Sequence, residues 1–273
     1  MLREHRLPIA RACRAAKLSR AAYYRQGIDW AKRDAPLVDA LNAVVERHRR
    51  WGFCKCFDRL HNQGHWWNPK RVYRVCCRLG LNLPRRTKKR LPHRLAQPLA
   101  VPAAVNAVWG LDFMIDALRS GRRFRVFNLL DEGVREGLAI EIDASLPAMR
   151  VVRVLDRLAA FRGFPAALRM DNGPELVAQE LLDWCEHNRV NPRHIQPGRP
   201  NHNAYDERYN RSFRDEVLDA YVFDDLGQVR EISAGWLRIY NEERPHDVLK
   251  SQPLAVCRAL IDSKPTSTSE LST

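Results

Sequence analysis

Three strand-like runs follow one another between residues 106 and 143: NAVWGLDFMIDAL, RRFRVFNLLD and EGLAIEID. Only short polar turns separate them, which sets neighbouring strands antiparallel, as in a meander. The pattern then changes period. SLPAMRVVRVLDRLAAF reads as a helix with Ser145 as its cap and Val151, Val154, Leu155 and Leu158 turned inward. A short strand AALRM, a helix PELVAQELLDWCEHN, a short strand PRHIQ and a further helix complete the series. This order predicts an α/β fold, a mixed five-stranded sheet with helices on both sides. In it the first and fourth strands lie side by side.

That arrangement gathers acids that are far apart along the chain. Asp112 lies inside the first strand, and Asp171 ends the fourth, just before the turn residues Asn172, Gly173 and Pro174. The last helix, NHNAYDERYNRSFRDEVL from Asn201 to Leu218, has an apolar stripe at Tyr205, Tyr209, Phe213 and Val217. Glu207, Asn210, Arg211 and Arg214 share a different face of it, where Asn210, Arg211 and Arg214 are candidate DNA contacts, Asn210 and Arg214 at phosphate. Packed across the strand ends, this helix brings Glu207 to the two aspartates. Three converging carboxylates repel one another unless cations sit between them. Mg²⁺ or Mn²⁺ suits oxygen ligands of this kind, with one or two carboxylates per ion, so two ions are expected in one site. Such a pair serves phosphodiester cleavage without a histidine base or a covalent nucleophile. Asp116, four residues beyond Asp112 on the same strand face, is a candidate supporting acid, and Trp109 is expected to pack behind the site.

Charge divides the chain unevenly. Residues 1–100 carry 24 Lys+Arg against 6 Asp+Glu, and the remainder 22 against 26, within a net charge of +14. A basic half points to a polyanion partner, nucleic acid above all. Its opening reads as a helix-turn-helix: LPIARACRAA, a turn at Lys17–Leu18, then Ser19 capping SRAAYYRQ, which presents Arg20 and Arg25. Asp34 and Pro36 read as the start of the next helix, APLVDALNAVVERHRR. Asn68 and Pro69 open PKRVYRVCCRL, on which Arg71, Arg74 and Arg78 form one row suited to a DNA groove. Residues 84–105, with four prolines and Arg85, Arg86, Lys88 and Lys89, read as an extended linker that tracks DNA backbone. The domain expectation is therefore 1–83 DNA-binding, 84–105 linker, 106–222 catalytic, 223–262 a helical extension and 263–273 a disordered tail. No run of 18 apolar residues suggests a membrane span, and the N-terminal residues lack a signal peptide's apolar core, so a cytoplasmic, nucleoid-associated protein is expected. Seven irregularly spaced cysteines are expected as free thiols, and C-x-C-x₄-H-x₃-H at Cys54, Cys56, His61 and His65 lacks the loop of a zinc site.

WGLDFMIDAL, LRMDNGPEL, QPGRPNHNAYDERYN, FRDEVLDAYVF and YNEERPHDVL, in this order, resemble the OrfB transposases of the IS-three family of bacterial insertion sequences. The likeness runs from about residue 7 to about residue 260, and the 35 residues between Asp171 and Glu207 match the family's Asp-Asp-35-Glu pattern. The resemblance implies an RNase H-like integrase core preceded by an all-α, helix-turn-helix-type region. It implies Asp112, Asp171 and Glu207 as metal ligands and catalytic residues, with Asp112 bridging both ions. The implied activity is cutting of element ends and joining of the freed 3′-hydroxyl to another strand. Implied partners are double-stranded DNA (terminal inverted repeats and target), the upstream OrfA protein through a frameshift fusion, and further copies of the chain on DNA. Departures from the family pattern stand at Asp206, Arg211, His202, Leu176, Cys54 and Cys56. They support an alternative reading, a DNA-binding protein whose catalytic domain has decayed.

Overall fold

The computed structural model describes residues 8–25, 27, 29–84, 104–195, 204–246, 249 and 251–256. The chain divides into two compact units between Ala43 and Val44.

In the first unit, α1 (Ile9–Ala15) and α2 (Arg20–Tyr24) follow the expected helix-turn-helix spacing. Lys17 makes the turn at φ 53°, and the Ser19 hydroxyl accepts the Ala22 N–H at 3.0 Å. Helix α3 (Trp30–Arg47) starts earlier than expected. Asp29, not Asp34, caps it, accepting the Lys32 N–H at 3.0 Å, while Asp34 is fully buried. Pro36 lies inside the helix, forfeiting one backbone bond without ending it. Leu37 and Leu41 are completely buried along this helix.

The second unit opens with two helices. In α4 (Phe53–Asn62), Cys56 and Leu60 point inward one turn apart, helical spacing that WGFCKCFDRL carries. In α5 (Pro69–Arg78), the Asn68 side chain accepts the Lys70 N–H at 2.9 Å, and Val72, Val75 and Cys76 are buried. Arg74 and Arg78 are exposed and Arg71 half-buried. Both helices fall within the expected basic region, residues 1–83, and within the unit that contains the sheet. Arg59 bonds Glu243 at 2.8 Å, and Asn62 donates to the Ser251 carbonyl at 2.8 Å.

The sheet holds β1 (Val108–Ala117), β2 (Arg123–Asp131), β3 (Glu136–Asp143), β4 (Ala167–Met170) and β5 (Asn191–His194), in the order β3-β2-β1-β4-β5. The first three strands are antiparallel, and β4 and β5 join parallel. Side chains alternate between the two faces. Trp109, Leu111, Phe127, Leu129, Leu168 and Met170 lie on one face beneath α6 (Ala148–Arg162) and α7 (Gln179–His187). Met114, Phe124, Val126 and Leu130 lie on the other with α8 (Ala204–Phe213) and α9 (Leu226–Glu242). Each such fully buried side chain contributes roughly 1.5–3 kcal/mol by leaving water, so both faces are held firmly. Pro147 rather than Ser145 precedes α6, with no side-chain cap bond. Helix α7 begins five residues later than expected, because Gly173 first closes a turn by accepting the Leu176 and Val177 N–H groups. The final helix changes character too: Arg214–Leu218 form a π turn directly after α8. The linker cations Arg85, Arg86, Lys88 and Lys89 and the tail lie outside the described residues, as does His202.

One buried imidazole, His48, and one half-buried, His246, give the unit an acid sensitivity. His48 stacks on Trp51 at 3.8 Å, and the His246 ring sits 3.1 Å from the Tyr240 carbonyl. Burial pushes both down to about 4, against the countervailing Glu243 charge for His48 and the Tyr240 carbonyl for His246. The unfolded chain therefore takes up these protons first, and stability is lost as pH falls from about 6.5 to about 4, by up to roughly 3 kcal/mol per ring. Urea unfolding of wild type and His246→Gln across that window should show a shallower loss in the variant. Parallel curves would remove the neutral-ring assignment.

Candidate active site

Gly110 and Asp112 are successive members of one face of β1. Gly110 pairs with Arg169 of β4, and Asp112 with Asn128 of β2. Asp171 follows Met170 and, two residues past Arg169, continues that same face. Helix α8 covers it, burying Asp206, Tyr209, Asn210 and Phe213 at i, i+3, i+4 and i+7. The expected stripe holds at Tyr209, Phe213 and Val217, while Tyr205 is half-buried. Asn210 departs from its expected role at phosphate. It is buried on the sheet side, where its amide donates to Asp112 Oδ2 at 2.6 Å and its carbonyl accepts from Asn128 at 2.6 Å. The sequence reading missed Asn128, although a lone amide inside the apolar run RVFNLLD was its signal.

Asp112 is thus clamped at both oxygens, the second bond coming from the Phe113 N–H at 2.8 Å. Its carboxyl is pushed up to about 6 by burial, and the charges of Asp171 and Glu207 add to the push against the bonds from Phe113 and Asn210. The structure brings the charges of Asp171 and Glu207 to bear on the Asp112 carboxyl. It does not gather them into a finished cage: among the described residues no three His, Cys, Asp or Glu side chains stand ready to hold one metal ion. Glu207 is exposed on the outer side of α8. The turn after β4 is ordered by its own bonds, with Asp171 Oδ1 accepting the Gly173 N–H at 2.9 Å and Asn172 donating to the Ile195 carbonyl at 3.0 Å. Glu175 pairs with Arg125, whose guanidinium lies over the Phe113 ring.

Arg214, expected at phosphate, is tied to β1 instead, bonding Asp116 Oδ2 at 3.3 Å and the Ile115 carbonyl at 3.2 Å. Arg20, Arg25 and Arg211 are exposed, so the basic residues expected at DNA divide between open and engaged. Asp206 is the other surprise. Its carboxyl is buried against Gly110, where a Cβ would stand 2.6 Å from Asp206 Cγ. Burial, then the charges of Glu132 and Asp112, hold it well above the usual carboxylate range. Cys56 and Cys76 are buried thiols, and burial pushes Cys56 up to about 12, as inert packing groups.

A mixed sheet with one acid within its central strand, another just beyond the neighbouring strand and a third on a covering helix is the frame of an integrase core. Residues 102–200 and 188–253 each match a family model described as an integrase core domain, and residues 32–90 match one described as an HTH-like domain. The fold is shared with a chain of the simian T-cell lymphotropic virus intasome solved with PP2A regulatory subunit B56 gamma, at a TM-score of 0.51 and 16% identity, over 75% of this chain and 70% of that one. The class is accordingly that of transposase and integrase enzymes, which act in DNA transposition and integration. The "Insertion element IS476 uncharacterized 39.2 kDa protein" of Xanthomonas euvesicatoria is 36% identical over 90% of this chain and 71% of its own length. The "Insertion element IS407 uncharacterized 31.7 kDa protein" of Burkholderia multivorans is 36% identical over 88% of this chain and 86% of its own. The chain belongs with these insertion-element proteins, in the integrase-core family, as an OrfB-type transposase of the IS-three kind.

Proposed function

We propose that Asp112, Asp171 and Glu207 are the catalytic acids and hold divalent cations, Mg²⁺ or Mn²⁺, two per site, for cutting element ends and joining the freed 3′-hydroxyl to target DNA. One observation carries the reading: Asp112, immobilised by Phe113 and Asn210, lies in the combined field of the other two carboxylates. An all-oxygen donor set of this charge fits hard cations and disfavours softer ones. When bound, such ions supply activation of the attacking oxygen and neutralisation of the leaving one. The chain itself does the positioning. Asn128 orients Asn210, Asn210 orients Asp112, and the Gly173 N–H orients Asp171. Glu207, exposed on α8, would be the third residue to hold the cations, whose charge would offset the repulsion among the three carboxylates.

The partner in this reading is double-stranded DNA, met through the HTH-like region and acted on at the three acids. An upstream OrfA fusion partner, assembly of several copies on DNA and a cytoplasmic, nucleoid-associated setting follow from the same reading. No helix among the described residues is long and apolar enough to cross a membrane. The test is strand transfer in Mg²⁺ with wild type, Asp112→Asn, Asp171→Asn and Glu207→Gln. Loss in all three is the expected result, and wild-type rates in any one would reject that assignment. The buried Asp206 beside Asp112 favours a second reading, a decayed enzyme that still binds DNA; end binding by wild type without nicking in Mn²⁺ would select it.

A further inference from the structure

The connection after α3 and the first turn of α4 face the outer side of α8 across a cleft of about 520 Å³. Glu207 lines it. Arg50 and Lys55 form one wall, and Arg208 and Arg211 the other. Its floor is nearly self-compensating: Glu216 pairs with Arg244 and lies 3.7 Å from Lys55, while Asp215 adds one further carboxylate. With Arg244 counted, five cations face three acids, so the cleft is electropositive before any metal binds at Glu207. The outer wall is also fixed in place. Arg47 and Arg59 both reach Glu243, at 2.6 and 2.8 Å, and Arg50 leans on the Asp219 carbonyl at 3.4 Å.

A rigid, open, cationic channel that ends at an active-site acid has the chemistry of a phosphodiester track. We propose that this cleft binds the backbone of the DNA strand running past Glu207, with Arg50 and Lys55 gripping its phosphates from the side opposite α8. The helical element before the sheet thereby contributes directly to the active site, in addition to any groove contact made by α5. The proposal rests on Glu207 being a catalytic acid. A guanidinium beside a flexible ammonium suits two successive phosphates, one held as a fork and one as a point charge.

The test is the salt dependence of binding to an arbitrary duplex oligonucleotide. Each lost phosphate contact reduces the slope of log K against log salt by roughly one. Arg50→Gln should lower the slope by about one and Arg50→Gln with Lys55→Gln by about two, with melting temperatures unchanged for the single variant. Arg153→Gln, on α6 across the sheet, removes the same charge and should leave the slope alone. An unchanged slope in both Arg50 variants, or an equal fall in Arg153→Gln, overturns the cleft. Glu207→Gln, measured beside them, should bind at least as tightly as wild type and lose cutting. If it cuts at the wild-type rate, the catalytic reading of Glu207 has failed. If it is dead while the Arg50 slopes do not move, the cleft alone has failed.

Discussion

Asp112→Asn is expected to lower strand transfer by roughly a thousandfold or more, while its stability relative to wild type improves as pH rises. The first effect follows from the proposed assignment, in which Asp112 is a negatively charged cation ligand: charge stabilisation worth several kcal/mol translates into about three decades of rate. The second follows from burial. The Asp112 carboxyl titrates near 6 in the folded chain, above its ordinary value, because burial and then the Asp171 and Glu207 charges oppose its ionisation. The folded state therefore holds this proton more tightly than the unfolded one, and that contribution to stability fades as pH climbs through about 6. An asparagine has no such proton to lose. It does forfeit one of the two acceptor bonds, to Phe113 or Asn210, at a cost of about 1 kcal/mol at all pH values. Urea midpoints of metal-free protein at pH 4.5 and 7.5 should thus show the gap moving in the variant's favour by roughly 1–2 kcal/mol, discounted for partial exposure. A gap that is constant, or moves the other way, would mean that Asp112 does not sit in the field described.

Gly110→Ala is expected to be nearly as damaging to activity, by a steric route. The added methyl would stand 2.6 Å from Asp206 Cγ, inside any tolerated contact, and Asp206 is only 3% exposed. Relief comes from lifting the first turn of α8, which carries Glu207 away from Asp112 and loosens the Asn210 bond. A displacement near 1 Å at an active-site acid costs about a hundredfold in rate, and overpacking costs about 1–3 kcal/mol in stability. Asp206→Ala in the same chain makes room for the methyl and removes a buried carboxylate, so the double variant should recover most of both losses. If Asp206→Ala fails to rescue, the two residues are not in the contact described.

Much of this arrangement was legible before any coordinates. The meander NAVWGLDFMIDAL to EGLAIEID, followed by alternating helices and short strands, fixed the sheet order, because turns of a few polar residues leave antiparallel neighbours and helices return the chain parallel. Trp109 packs behind the site as expected, fully buried. What escaped was what only three-dimensional neighbours decide. Position 206 is adjacent in sequence to Glu207, yet its burial depends on the missing side chain at Gly110, nearly a hundred residues earlier. Asn210 reads as a surface amide on a helical wheel. The wheel cannot show that Asp112 and Asn128 wait beneath it, so a polar residue joined the buried face. Asp34 and Ser145 have the chemistry of caps, but Asp29 and Pro147 occupy those places, since local propensity sets only a weak preference among nearby starts.

Strand β1 supplies its acid early in the polypeptide, the turn after β4 supplies another, and α8 brings the last one well downstream. If these three acids are the catalytic set proposed above, a ribosome-tethered nascent chain that has emerged only through the turn after β4 would hold two of the three groups and lack the third. Any hazard to the host genome would then be deferred until α8 has been made and has docked on the sheet.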